Sequence, residues 1–126
     1  MSNGSPYTIF NNVVSDMLSD LTARFIDNRE LSACEVFHKM ACKANVKMPY
    51  ESFVEFAVVP FGDRLVLHDD AFFMEKEYGT GGDGGSGLVD ALKKLWKHMS
   101  GDDKQRVHDY LDLLLSVHGT IAAARA

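Results

Sequence analysis

The sequence is poor in several things. It has two cysteines, three prolines and one tryptophan in 126 residues. Two thiols cannot make the disulfide framework of a small secreted scaffold. No apolar run approaches the roughly 20 residues of a membrane span. The opening MSNGSPYTIF has no basic stretch followed by an apolar core, so no secretory signal is expected. Gly-Lys-Ser/Thr phosphate loops, GxSxG and HExxH are all missing, so no ready-made catalytic signature is present. Basic charge is scarce in the middle of the chain. Residues 51–90 hold nine acids against Arg64 and Lys76, giving −7 within a net charge of −5. A basic face over the whole surface, as general nucleic-acid binding requires, is excluded.

What is present is an ordinary globular composition, 46% hydrophobic and 25% charged, which excludes a wholly disordered or collagen-like chain. The length is enough for one self-sufficient core. A single domain over residues 1–126, in a soluble intracellular protein of the cytoplasm or nucleus, is the expectation. No membrane partner and no cofactor is expected.

Helical periodicity runs through most of the chain. Ser5-Pro6 reads as a helix start. Phe10, Val13, Val14, Met17, Leu18, Leu21 and Phe25 then share an arc of about 140°, which predicts an amphipathic helix over 6–26. Asp27-x-x-Glu30 predicts a variant capping box opening a second helix. On it, Leu31, Cys34, Phe37, His38, Ala41 and Cys42 share one side. Glu35, Lys39 and Lys43 step along a solvated face, and the helix ends near Asn45. Tyr50, Phe53, Val54, Phe56, Ala57 and Val58 predict a third, buried helix that Pro60 must end or kink. Residues 61–68 fit a short strand or a continued helix. No partner strand is in sight, so helix is preferred. Asp69 or Asp70 would cap a short helix carrying Phe72, Phe73 and Met74. Residues 79–87, GTGGDGGSG, predict a flexible loop. Beyond it, Leu88, Ala91, Leu92, Leu95, Trp96 and Met99 face a core, opposite Lys93, Lys94 and Lys97. Ser100-Gly101-Asp102 breaks and recaps the chain. The last helix, about 102–122, is apolar over roughly 200°, which places it centrally. The fold class is therefore all-α: a compact bundle of five or six helices with the glycine loop before the last two.

Three groups of residues invite a function. Asp69 and Asp70, with Phe72, Phe73 and Tyr78, make an acidic-aromatic segment suited to docking a protein. Neighbouring Phe72 and Phe73 diverge by about 100° on a helix, so one of them is free to meet a partner. Lys93, Lys94 and Lys97 form a ridge that would touch phosphates, although the chain's overall acidity argues against nucleic acid, and a solvated face is the simpler reading. Cys34-x3-His38-x3-Cys42 offers thiolate and imidazole ligands for a metal, with His68 or His118 completing the set. However, the outer cysteines lie roughly 12 Å apart along a helix. That is too far for one ion or one disulfide, and two buried thiols beside a core-margin histidine is the simpler reading. His108 with Asp112 four residues on is a further pair able to hold metal or move a proton.

The middle of the chain also resembles a family pattern. Val59-Pro60-Phe61, Leu65 to Leu67, Asp69-Asp70-Ala71-Phe72-Phe73-Met74 and Tyr78 occur in order. Trp96, Lys104, Tyr110 and Leu111 follow. This order resembles small all-helical proteins of large eukaryotic DNA viruses, over residues 30–118. The glycine insert departs from the tighter loop of that pattern. The resemblance implies an all-α fold and a viral or algal context, and it brings no activity and no functional residue. The function expected from the sequence is thus a non-enzymatic protein-interaction or adaptor module with a protein partner or a second copy of itself. A nucleic-acid-binding helical protein and a metal-binding sensor or enzyme at His38 are the alternatives.

Overall fold

The structure, a computed structural model, describes residues 5–68 and 91–125. Among these, 86% are helical and none is in a strand, as expected for an all-α fold. Helix α1 spans Pro6–Arg24 and α2 spans Arg29–Ala44. Helix α3 spans Met48–Phe53, a π turn follows over Val54–Val58, and α4 spans Val59–Val66. Residues 91–96 are helical, and α5 spans Gly101–Arg125. The predicted glycine loop at 79–87 and the short helix after Asp69 lie outside the described residues.

Each proline sits in the first turn of a helix: Pro6 in α1, Pro49 in α3 and Pro60 in α4. At Pro6 and Pro49, true helix starts, a missing N–H removes no helical hydrogen bond. Pro60 lies within a continuous helical stretch over 48–66 and does not end the third helix. The chain prepares for it with the π turn, in which the Val59 N–H donates to the Val54 carbonyl five residues back. Residues 61–66 continue as helix, and the strand reading falls away. The second helix is capped one residue later than the sequence suggests. Asn28, not Asp27, accepts the Leu31 N–H through its side-chain oxygen at 2.9 Å. At the start of α5, Ser100 Oγ accepts the Asp103 N–H at 3.1 Å. Ser5 occupies the N-cap of α1 without a side-chain cap bond.

The core is assembled from Phe10, Met17, Leu18 and Leu21 of α1 and Leu31 of α2. Tyr50, Ala57 and Leu65 add to it from the third helical stretch, with Trp96 and its neighbours, and Val107, Leu111, Leu114 and Ile121 of α5. Trp96 is fully buried. Phe10 meets Tyr50 edge-on at 5.4 Å and Phe53 at 5.3 Å, which joins α1 to α3. Helix α5 runs antiparallel to α1. Arg24 near the end of α1 pairs with Asp103 near the start of α5 at 2.8 Å, and Tyr110 donates to Asp20 at 3.2 Å. The last helix was expected at the centre, but among the described elements it packs on α1 and α4, while α1 touches α2, α3 and α5. The apolar arc of α5 is narrower than predicted, because Leu113 is exposed. No helix among the described residues is long and apolar enough to cross a membrane.

Candidate functional site

Helix α2 packs against α1 and α3. Its inner face is Leu31, His38 and Ala41, with Cys34 and Cys42 half-buried beside them. The opposite face is apolar as well. Ala33, Val36, Phe37, Met40 and Ala44 are all exposed. At 100° per residue they fall within an arc of about 100°, at the i, i+3, i+4, i+7 spacing of a seam between helices. Val36 is 59% exposed, Phe37 44% and Met40 64%. Phe37 was expected inside with Leu31 and Cys34, and the structure corrects this. Phe37 lies at the edge of the predicted face, about 120° from Leu31, and α1 covers only the His38 side.

Lys39 and Lys43 border this stripe on the Val36 side, and both are exposed. The other flank is occupied within the chain: the Lys94 ammonium donates to the two Glu30 carboxylate oxygens at 3.0 and 3.2 Å. Glu35, expected to pair with the lysines after it, instead accepts the Ser19 hydroxyl at 3.2 Å.

The inner face holds the candidate metal group. His38 Nε2 lies 3.1 Å from the Asn11 carbonyl oxygen and 3.1 Å from Ser15 Oγ. A carbonyl only accepts, so Nε2 carries the proton. Cys42 Sγ is 3.5 Å from Nε2 and 3.9 Å from Nδ1. Burial pushes the His38 pKa down, partly offset by its bond to the Asn11 backbone. Burial pushes both thiols up, and Glu30 adds to this at Cys34. A neutral imidazole beside protonated thiols is the reverse of a thiolate–imidazolium pair, which needs a lowered thiol pKa. No group of three or more His, Cys, Asp or Glu side chains among the described residues is arranged to hold a metal ion. Cys34, His38 and Cys42 thus do not converge, and neither His68 nor His118 joins them. His38 acts as a polar pin between α2 and α1. The Asn11 side-chain amide makes a second tie, donating to the Val46 carbonyl at 2.9 Å.

Two of the other histidines, His108 and His118, belong to α5, and His68 packs onto it from the end of α4. Asp112 does not pair with His108, four residues before it. Its carboxylate oxygens meet His68 Nε2 at 2.8 and 2.9 Å. The His68 ring stacks on buried His108 with centroids 4.5 Å apart and planes 12° off parallel. Trp96 packs edge-on to His108 at 5.3 Å. His68 holds a positive φ of 53°, the one non-glycine residue described in that region. It closes α4 as a glycine otherwise would. Stacked imidazoles present faces to one another rather than aiming two nitrogens at one point. His118 pairs with the Tyr50 hydroxyl at 2.8 Å.

The lysine ridge is divided. Lys93 is 7% exposed, with its ammonium 5.6 Å from the centre of the Phe61 ring. Lys94 pairs with Glu30, and Lys97 is exposed. The three do not share one solvated face, because Lys93 turns inward toward the third helical stretch. Asp69, Asp70, Phe72, Phe73 and Tyr78 lie outside the described residues.

Helical periodicity alone does not mark the outer stripe of α2 as a surface. Its signal lies in Val36 and Met40, four residues apart and opposite Leu31 and Ala41. No family model matches the chain, and no curated protein or solved structure matches it.

Proposed function

We propose that this chain is a helical protein-interaction module, non-catalytic, whose contact surface is the outer face of α2. One observation carries the reading: Val36, Phe37 and Met40 are exposed together, at helical spacing, on a helix whose inner face is already in use. Ile26 and Leu113 stand singly, which is ordinary for a folded surface, and Val66 and Leu67 are an adjacent pair at the end of α4. A contiguous stripe is not ordinary, and such stripes mark interaction sites. The geometry matches recognition of one helix face by another element through anchors at i, i+3, i+4 and i+7. The protonated thiols and neutral His38 beneath it lend the face no nucleophile.

The reading is tested by placing the photo-crosslinking amino acid p-benzoylphenylalanine at position 40, and at exposed Gln105 on α5 as a control. Irradiated in lysate, the position-40 protein forms discrete adducts that the Gln105 variant lacks. Phe37→Ser in the same background removes them. Identical adduct patterns from both positions would sink the proposal.

A further inference from the structure

We propose that the partner of α2 is an amphipathic helix with acidic residues along one flank, which lies lengthwise on the Phe37–Met40 stripe and sets its carboxylates against Lys39 and Lys43. The inference rests on the reading of the α2 face as a contact surface and goes on to say what chemistry that surface recognises.

Charge complementarity carries it. On the Val36 side the stripe is bordered by two exposed ammonium groups, while on the opposite side Glu30 is held by Lys94. This is a local cationic margin on a chain of net charge −5, so it is not the spill-over of a basic surface. From Ala33 to Ala44 the stripe runs roughly 16 Å, three helical turns. A helix of about 12 residues covers it and offers three or four apolar anchors. Carboxylates on one flank of that helix then reach both lysines from successive turns, since Lys39 and Lys43 are four residues apart.

A second copy of the chain fits less well. Ala33 with Ala44, and Phe37 with Met40, share a midpoint between residues 38 and 39, so a two-fold axis would pass there. That axis sets each flank against its own copy and places each Lys39 beside the other. The apolar seam would match, but its cationic margin would repel itself. A nucleic acid would satisfy the lysines and leave Phe37 and Met40 against a polar backbone. It would also meet the field of an acidic protein.

The test uses the full chain and three synthetic amphipathic helices, each capped at both ends and fluorescently labelled. They share one leucine stripe and carry glutamate, glutamine or lysine along one flank. Binding is read by fluorescence anisotropy at low and physiological salt. The glutamate peptide is expected to bind roughly tenfold more tightly than the lysine peptide, as two exposed ion pairs exchanged for two like-charge contacts imply. The difference shrinks with salt. The double variant Lys39→Glu/Lys43→Glu inverts the order. Phe37→Ser weakens all three peptides and preserves their order.

Equal binding of the three peptides, still weakened by Phe37→Ser, overturns the acidic-partner inference and leaves the contact surface standing. Binding indifferent to Phe37→Ser overturns both. A dimer in sedimentation that Phe37→Ser dissolves assigns the face to a second copy and overturns the inference. So does binding of labelled duplex DNA that the double lysine variant abolishes.

Discussion

Alanine substitution at three positions of α2 separates a contact face from a core face. Leu31 is fully buried, whereas Phe37 is 44% and Met40 64% exposed. Burying a whole Phe or Met side chain is worth about 1.5–3 kcal/mol. A little over half of Phe37 is covered, so its removal forfeits about 1.5 kcal/mol. The better helix propensity of alanine returns about 0.5 kcal/mol, leaving a net cost near 1 kcal/mol. About a third of Met40 is covered, and Met40→Ala costs roughly 0.7 kcal/mol by the same reasoning. Leu31→Ala removes buried methyl groups and leaves a cavity, at a cost of about 2–5 kcal/mol. Urea denaturation followed by circular dichroism at 222 nm measures all three. With a slope near 2 kcal/mol/M, the Phe37→Ala midpoint falls by about 0.5 M and the Leu31→Ala midpoint by more than about 1 M. If Phe37→Ala costs as much as Leu31→Ala, Phe37 belongs to the core and the α2 face is no contact surface.

Asn28→Ala removes the cap bond to the Leu31 N–H and costs about 1 kcal/mol, while Asp27→Ala changes the urea midpoint little. Burial lowers the folded-state pKa of His38, so between that value and the unfolded value near 6.5 the unfolded chain binds more protons. Its contribution is therefore fully present above about pH 6.5 and is lost as pH falls through the folded value. His38→Gln flattens the fall of stability with acidification relative to the wild type, and no difference in slope would refute this. Both thiols have raised pKa values, so they react with Ellman's reagent at pH 7.5 more slowly than free cysteine, and faster in urea. At His68, Gly relieves a positive φ worth about 1–2 kcal/mol, which offsets the lost exposed pair with Asp112 and the lost ring stack on His108, so His68→Gly stays within about 1 kcal/mol of the wild type. His68→Ala keeps the strained backbone and unfolds at lower urea.

The architecture was legible because it is local. The apolar spacing of α1, the breaks at Asn45 and Ser100, and the inward Trp96 all follow from residues within a few turns of one another. Phe37 was misplaced because periodicity gives a helix its faces and not its neighbours. Two apolar sides are compatible with the sequence, and only the position of α1 decides which one is covered. Asp112 was assigned to His108 by their spacing of four. The bond it makes spans 44 residues to His68, a pairing set by the junction of α4 and α5. Lys93 shares a stretch of charge with Lys94 and Lys97, yet burial against Phe61 separates it from them.

The π turn ahead of Pro60 has a consequence for how this chain tolerates change in length. A turn closed by a five-residue bond holds one residue more than an α turn, so Val54–Val58 behaves like a one-residue insertion kept inside a helix. Every side chain after it is rotated by about 100° from where an uninterrupted helix would carry it. That rotation lets one helical stretch serve two neighbours, with Tyr50 and Phe53 meeting Phe10 of α1, while Phe61 reaches Lys93. A deletion of one residue here would convert the turn to plain helix. It would preserve the helix content and scramble its two addresses, whereas an equal deletion near a chain end would leave both in place.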